Sequence, residues 1–299
     1  MAENSMTPSW LTGSMVALVT PFYGGKVDEK ALKRLVDRQV EAGTSAIVAA
    51  GTTGEAATLT EDEHIGVIES CVKAAEGRLK IVGGVGANVT RDAVTLAERC
   101  EAIGADGLMA TTGYYNKPNR AGLVAHYTAL GEATDLPVIV YNVPGRTVTD
   151  LSESLVAELS QLPTMVALKD ASGELDRVAR HRLECAEGFV LLSGEDMTAV
   201  GFNAMGGKGC ISVSANVAPE HCARLQRACA EGDYTEALKI QDQLAPLHDA
   251  MFADASPGPA KYALSKLGLI EESLRLPLTP CGEKARLMVD EALAGLDLH

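Results

Sequence analysis

A chain of 299 residues, of which 46% are hydrophobic, is long enough for two ordinary domains or one closed α/β barrel. Its formal net charge of −14 at pH 7 argues against nucleic-acid and anionic-membrane partners, because both bind basic surfaces. A small anionic substrate is still compatible with this charge if local cations or helix N-termini line a pocket.

The ends of the chain and its cysteines and histidines predict a cytoplasmic protein without a metal. No segment reaches the roughly 18 apolar residues of a membrane span. The start, MAENSMTPSW, has neither the charged nor the apolar region of a secretory signal. The seven cysteines form no C-x-x-C pair and are predicted to be reduced, buried thiols. The six histidines show no metal-ligand spacing.

Eight short apolar runs recur along the chain, and we predict that each is a β-strand. Near-continuous apolarity indicates that both faces of each strand are covered, as in a parallel sheet. The predicted strands are 16–22, 46–52, 80–86, 107–111, 137–143, 165–170, 189–194 and 209–216.

The segments between these runs have helical period and recognisable caps. Asp28 is predicted to cap a helix that ends at Gly43, and Thr60 with Glu63 forms a capping-box pattern. Thr90 is predicted to cap the next helix. Eight strand–helix units predict an α/β fold, a (β/α)₈ TIM barrel, rather than a doubly wound sheet. A doubly wound sheet usually carries a strong nucleotide fingerprint, and the glycine-rich stretch 83–86 lacks that spacing.

After the eighth strand the pattern changes to helices only. Helices are predicted at 219–232 and 234–251, from 257 onward, and at 283–296. This is too much helix for one barrel crossover. We therefore predict a catalytic barrel over residues 1–230 and a C-terminal helical region over 231–299.

One lysine stands where a buried strand ends. The apolar run 165–168 leads directly into Lys169, which is followed by a polar, glycine-containing turn. A lysine of ordinary pKa, about 10.4, is a poor nucleophile, whereas roughly 7–8 suits attack on a carbonyl, and burial can supply that shift. Apolar walls around one amine therefore predict a Schiff-base enzyme. A solvated lysine at a strand end is the alternative.

Three other predicted strand ends carry groups that suit a keto acid. The turn GTTGE at 51–55 offers two hydroxyls and several N–H groups, which suit a carboxylate. Tyr141 ends a strand and can transfer a proton, and Arg146 beyond it can bind a carboxylate. Tyr114 and Tyr115 suit interface packing or proton donation. Each feature alone also fits a turn, a core hydroxyl or a surface ion pair, but four such strand ends form a narrower coincidence.

Several motifs resemble those of the pyruvate-dependent class I lyase family. They are GTTGE at 51–55, YYNKP at 114–118, YNVPGRT at 141–147 and KDASG at 169–173. The resemblance covers essentially the whole chain, including SPGPAK at 256–261 and LRLPLTP at 274–280. The arginine after YNVPG matches the branch that uses L-aspartate 4-semialdehyde. The branches that cleave sialic acid or keto-deoxy sugar acids resemble the chain only up to the tyrosine, and they remain an alternative, as does a non-catalytic pyruvate-binding regulator.

The resemblance implies four catalytic residues. Lys169 would form an imine with pyruvate, so that no cofactor or metal is needed. Tyr141 would transfer protons, relayed through the Thr52 hydroxyl to Tyr115. In this family that last tyrosine reaches in from a neighbouring subunit, which implies a homotetramer built as a dimer of dimers.

The resemblance also implies how substrates are held. Thr53, together with Thr52, would bind the pyruvate carboxylate. Arg146 would receive the carboxylate of the aldehyde substrate. The backbone near Gly194 and Ile211 would shape the floor of the pocket.

Inhibition by the pathway end product, L-lysine, is a further implication of the resemblance, because sensitive members bind lysine in a cleft at a dimer interface. A histidine at 64 fits those sensitive members. The aspartate at 92 is one methylene shorter than the usual glutamate, and Ala56 stands where a serine is common. The implied positions of the regulatory site are Ala57, His64, Asn88, Asp92 and Tyr114.

Overall fold

The computed structural model describes residues 7–298, and its centre is a closed barrel of eight parallel strands. The barrel strands are β1 (Gly13–Ala17), β4 (Ala46–Ala49), β5 (Lys80–Gly84), β6 (Gly107–Thr111), β7 (Val138–Asn142), β8 (Met165–Asp170), β9 (Val190–Ser193) and β10 (Gly209–Ser212). They are hydrogen-bonded round the barrel in this same order, and β10 pairs with β1 to close it. The predicted (β/α)₈ barrel is confirmed.

The first strand lies nearer the N-terminus than predicted. It ends at Ala17, where the Leu18 N–H still donates to the Val48 carbonyl at 3.0 Å, and the apolar residues beyond Leu18 are buried outside the barrel strand. Phe22 belongs instead to a small antiparallel hairpin of β2 (Phe22–Tyr23) and β3 (Lys26–Val27). The prediction of a strand over 16–22 was wrong at both ends, because apolarity reports burial and not the hydrogen-bonding partner.

Helices surround the barrel. They are α1 (Glu29–Ala42), α2 (Glu61–Ala75), α3 (Thr90–Ala102), α4 (Arg120–Glu132), α5 (Pro144–Thr147), α6 (Glu153–Leu159), α7 (Asp176–Glu184), α8 (Ala199–Ala204) and α9 (Pro219–Glu231). The cap at Asp28 and the capping box of Thr60 and Glu63 are confirmed. The cap predicted at Thr90 was wrong, since Val89 holds that position. The Thr90 hydroxyl lies 3.0 Å from His126 Nδ1 on α4, so it serves a contact between helices.

Three more helices form the C-terminal region and confirm the change of pattern. They are α10 (Tyr234–Met251), α11 (Gly258–Lys266) and α12 (Glu283–Gly295). The boundary at residues 230 and 231 stays a prediction. Residues 1–6 and residue 299 lie outside the described chain. The N-terminal stretch that was predicted to carry no secretory signal begins in these residues. Between residues 7 and 298 no helix has both the length and the apolarity needed to cross a membrane.

Alternation along each strand separates two hydrophobic clusters. On β7, Val138 and Val140 pack outward against the helices, whereas Ile139 and Tyr141 belong to the cluster inside the barrel. This is the two-residue period of a strand. It places the tyrosine inside the barrel, near the end of the strand where these folds carry their active sites.

The cysteines are free thiols, as predicted. Six of the seven are buried, and Cys185 is half-buried. Burial raises the pKa of Cys71 to about 12, because the thiolate would be poorly solvated. Such a thiol is unreactive at neutral pH.

Candidate active site

Lys169 and Tyr141 are neighbours inside the barrel. They are register partners on the adjacent strands β8 and β7, and the lysine Nζ lies 4.2 Å from the centre of the tyrosine ring. Their exposed fractions are only 4% and 6%. Among the residues that the structure describes, no carboxylate lies within ion-pair distance of this Nζ. The lysine is therefore a buried amine at the end of a barrel strand, without an ion-pair partner among the described residues.

Gly194 and Ile211 lie close to this pair. A Cβ placed on Gly194 would lie 3.1 Å from Lys169 Cε and 2.8 Å from Ala171 Cβ, so any side chain here would crowd the amine. The Gly194 N–H donates to the carbonyl of Asp170 at 2.7 Å. Ile211, on β10, packs in the same interior cluster as Tyr141. The structure thus places Gly194 directly beside Lys169 and Ile211 in the interior cluster of Tyr141, and their role in the pocket stays a prediction.

A partly buried network of polar and charged side chains holds the ends of β7 and β8, which carry Tyr141 and Lys169. Asn142 donates to Asp150 at 2.9 Å and to Asp170 at 3.4 Å. The Arg177 guanidinium is held by Asp150 at 2.9 Å and lies 3.7 Å from the Asp170 carboxylate. Sequence reasoning missed Arg177, because a charged residue in the first turn of a helix usually indicates a solvated face.

The turn 51–55 follows β4 on the other side of the barrel mouth. The Glu55 N–H donates to the Thr52 carbonyl at 3.1 Å, which closes the turn. Thr53 is buried, whereas Thr52 is exposed. A Cβ on Gly84 of β5 would collide with the carbonyl of Ala50, so the glycine-rich stretch serves close packing of the backbone beside this turn.

A cleft of about 940 Å³ opens beside the turn. Thr52 and Arg146 line it, and Lys169 and Tyr141 do not. The cleft is nevertheless adjacent to them, because its lining residue Val143 also packs in the interior cluster that holds Tyr141. The residues of the predicted regulatory site all line this cleft as well: Ala57, His64, Asn88, Asp92 and Tyr114.

Three of these cleft residues have informative surroundings. His64 is buried on α2, its Nε2 lies 2.6 Å from the Gly84 carbonyl, and burial lowers its pKa, so the ring is neutral at pH 7. The Asn88 side chain accepts the Tyr114 N–H at 2.6 Å. That bond holds the backbone of Tyr114 against the wall of the cleft.

Two predicted residues stand apart from the buried lysine. Arg146 is exposed on the short helix α5 and faces the cleft. Tyr115 is 90% exposed, has a left-handed φ of 73°, and belongs neither to the cleft lining nor to the interior cluster. Within the described chain, Tyr115 is therefore not assembled with the other predicted catalytic residues.

A buried lysine at the end of a barrel strand, beside a tyrosine and an open cleft, is the arrangement of a barrel lyase that acts through an amine. The comparisons with known proteins specify the family. The family described as "Dihydrodipicolinate synthetase family" matches residues 10–295, and the chain belongs to it. It is an enzyme of the lyase class.

Individual relatives agree over nearly the full length. The chain is 51% identical over 286 residues to 4-hydroxy-tetrahydrodipicolinate synthase of Phenylobacterium zucineum, covering 95% of this chain and 97% of the relative. Dihydrodipicolinate synthase from Acinetobacter baumannii, solved in complex with pyruvate, has 41% identity and a TM-score of 0.94, covering 97% of this chain and 100% of that one. Dihydrodipicolinate synthase from Cyanidioschyzon merolae, solved with lysine bound, has 34% identity and a TM-score of 0.94, covering 98% and 100%.

Proposed function

We propose that this lyase condenses pyruvate with L-aspartate 4-semialdehyde to 4-hydroxy-tetrahydrodipicolinate, the first committed step of diaminopimelate and lysine biosynthesis. The observation that carries the proposal is the buried Lys169 amine beside Tyr141, with no carboxylate partner among the described residues. The name of the relative from Phenylobacterium zucineum and the pyruvate complex of the Acinetobacter baumannii enzyme support it.

The reaction begins at the lysine. The unprotonated Lys169 amine adds to the ketone of pyruvate, and loss of water leaves an imine. The protonated imine nitrogen accepts electrons, so a methyl proton can leave and an enamine forms. The enamine carbon attacks the aldehyde carbon of the second substrate. The amine of that substrate then displaces Lys169 and closes the ring, which regenerates the enzyme. No cofactor or metal takes part in this scheme, and that absence stays a prediction.

The neighbouring groups divide the remaining work. Tyr141, whose ring centre lies 4.2 Å from the amine, moves protons to and from the reacting atoms through its hydroxyl. The N–H groups and hydroxyls of Thr52 and Thr53 hold the pyruvate carboxylate at the mouth of the barrel. Gly194 leaves the space next to the lysine that the keto acid needs, and Ile211 contributes to the apolar floor.

The exposed residues act on the second substrate and on a second subunit. Arg146 faces the cleft and binds the carboxylate of the semialdehyde with two hydrogen bonds. Tyr115 donates into the site of a neighbouring chain, and this role is supported by its almost complete exposure. The assembly is a homotetramer, a dimer of dimers. Its place is the cytoplasm, because all the cysteines are free.

The cleft is the site of inhibition by L-lysine. Asp92, exposed in the first turn of α3, supplies a carboxylate for an ammonium group, and the Tyr114 ring borders the same space. The lysine-bound structure of the Cyanidioschyzon merolae relative supports this assignment. Isothermal titration with L-lysine should show binding that Asp92→Ala weakens, and equal binding by that variant would contradict the assignment.

Trapping with borohydride tests the mechanism. Incubation with pyruvate followed by reduction should leave a stable adduct on Lys169, located by peptide mass spectrometry. The trapped enzyme should be inactive. No adduct, or an adduct on another lysine, would overturn the proposal. A comparison of acceptors, with L-aspartate 4-semialdehyde against N-acetylmannosamine and simple sugar aldehydes, then decides the second substrate.

A further inference from the structure

Two opposite charges are completely buried beneath the turn 51–55. Glu55, the last residue of the turn, forms an ion pair with Lys261 on α11, and both side chains are 0% exposed. Glu55 Oε2 also accepts the Arg275 N–H at 3.2 Å. Lys261 Nζ donates to the Ser273 carbonyl at 2.8 Å and lies 4.2 Å from the centre of the Phe22 ring. Lys261, Ser273 and Arg275 all belong to the C-terminal helical region.

Such a pair is a poor source of stability. Removing two charges from water costs about as much as their attraction returns, so a buried ion pair more often specifies a geometry than stabilises a fold. Burial lowers the pKa of Lys261 to about 8 against the opposing effect of Glu55, so the lysine is still charged at pH 7. The presence of the pair is therefore better explained by the groups that it holds in place than by its contribution to stability.

The backbone of the turn shows what is being positioned. The turn is entered through Ala50 and left through Glu55, and both have left-handed φ values, of 51° and 55°. Residues other than glycine rarely adopt this conformation, and they keep it only when the surrounding structure holds them there. The buried Thr20 hydroxyl donates to the Gly54 carbonyl at 2.6 Å, which adds a second restraint. The ion pair of the Glu55 side chain with Lys261 restrains the end of the turn.

We propose that the Glu55–Lys261 ion pair is a positioning device for the substrate carboxylate. Through these two charges, α11 of the C-terminal region holds the turn on which Thr52 and Thr53 bind pyruvate. The inference rests on the proposed function, because it takes those threonines as the carboxylate site. Both residues of the pair act through the turn and do not touch the substrate.

This role differs in its consequences from simple anchoring of α11 on the barrel. If the pair only anchors the helix, its loss lowers stability and leaves the affinity of the folded protein for pyruvate unchanged. If the pair positions the turn, its loss raises the pyruvate concentration needed to form the imine. A small displacement of a binding group has a large effect on a reaction that depends on alignment.

Two variants separate these outcomes. Glu55→Asp keeps the charge and removes one methylene, so the carboxylate no longer reaches Lys261 from the same backbone position. The double variant Glu55→Gln with Lys261→Met removes both charges and leaves no unpaired charge in the interior. In both we expect the half-saturating pyruvate concentration for borohydride trapping at Lys169 to rise by about tenfold or more. Trapping at saturating pyruvate should still go to completion.

A matched control lies on the same helix. Lys266 pairs with Asp290 at 3.3 Å, but both side chains are about half-exposed. Lys266→Met should leave the half-saturating pyruvate concentration at its wild-type value. Thermal unfolding of each variant, followed by circular dichroism, shows that trapping is measured on folded protein.

The result that would overturn the inference is a wild-type half-saturating pyruvate concentration in both folded variants, whatever their loss of thermal stability. A double variant that does not fold would also overturn it, since the pair would then serve the fold as a whole. Failure of the proposed function looks different. It would appear as an absence of trapping at Lys169 in the wild-type protein, before any variant is made.

Discussion

Two buried lysines of this protein, Lys169 and Lys261, both lie against an aromatic ring but have different polar partners. Each has an Nζ that lies 4.2 Å from the centre of an aromatic ring, Tyr141 in one case and Phe22 in the other. Lys261 is paired with Glu55 and donates to a carbonyl. Within the described residues, Lys169 has no carboxylate at ion-pair distance.

Under the proposed function, burial beside an aromatic ring does not by itself make a lysine reactive, since Lys261 has these surroundings as well. Burial lowers the pKa of Lys261 to about 8 in spite of Glu55, so this lysine is still mostly charged at pH 7, and a charged ammonium group is not a nucleophile. Lys169 has no such carboxylate within the described residues, and the proposed function assigns the reaction with the carbonyl substrate to it. The two lysines also differ in their place in the fold. Lys169 lies near the end of a barrel strand, whereas Lys261 lies in a helix outside the barrel.

The largest effect should follow removal of the reactive amine. Lys169→Ala is expected to lower turnover by a factor on the order of 10³ or more, because no other group can form the imine. The fold should be kept, since the substitution leaves no unpaired charge behind. Turnover measured with the purified variant, together with its circular dichroism spectrum, checks both points. A variant that retains more than a tenth of wild-type turnover would contradict the proposal that Lys169, and not another lysine, forms the imine.

A smaller effect is expected when the cleft loses its exposed cation. Arg146→Ala should raise the KM for L-aspartate 4-semialdehyde by about 10- to 100-fold, the worth of a charge-assisted pair of hydrogen bonds. Trapping of pyruvate should be unchanged, because the arginine acts only on the second substrate. Arg91→Ala is the matched control, since Arg91 lines the same cleft but pairs with Asp92. Equal loss of trapping and acceptor use in Arg146→Ala would contradict the assigned role.

Crowding the amine should sharpen the comparison further. Gly194→Ala places a Cβ 3.1 Å from Lys169 Cε, so we expect imine formation to slow by about tenfold while the lysine itself remains. Gly258→Ala, on the helix that carries Lys261, meets its nearest neighbour at 3.4 Å and should leave trapping unchanged. Single-turnover trapping rates measure both variants. Equal rates in the two would mean that the space beside Lys169 is not limiting.

The smallest effect concerns the ion pair between Arg275 of the C-terminal region and Glu63 of α2. Hydrogen bonds from Arg275, and then from the Thr60 backbone, lower the pKa of Glu63 from 4.5 to about 2. The folded chain therefore binds this proton less tightly than the unfolded chain. The stabilisation is complete above about pH 4.5 and is lost as the pH falls towards about 2.

Because this pair is partly exposed, we expect a contribution on the order of 1 kcal/mol or less to the free energy of unfolding. Urea unfolding of the wild type and of Glu63→Gln, above and below pH 4.5, measures it. The difference between the two proteins should shrink as the pH falls. A difference that grows in acid would show that the sign of the effect is wrong.

Much of this molecule could be predicted from local sequence pattern. The eight apolar runs predicted the barrel, and caps such as Asp28 were recognisable because they act within one turn of a helix. Lys169 was identifiable as a candidate because a lysine that follows an apolar run in a barrel strand lies near the end of the barrel that carries active sites. These features depend on residues only a few positions apart, where the period of a strand or a helix sets the geometry.

Only the tertiary structure decided which distant groups meet. The Thr90 hydroxyl faces His126 and does not cap its own helix, and Phe22 leaves the first strand for a hairpin. The pairing of Glu55 with Lys261 has no local signature, because its partners come together only when α11 packs against the closed barrel. Which side chains from distant segments come into contact depends on how the layers of the fold pack. The periodic pattern within one segment carries no information about that packing.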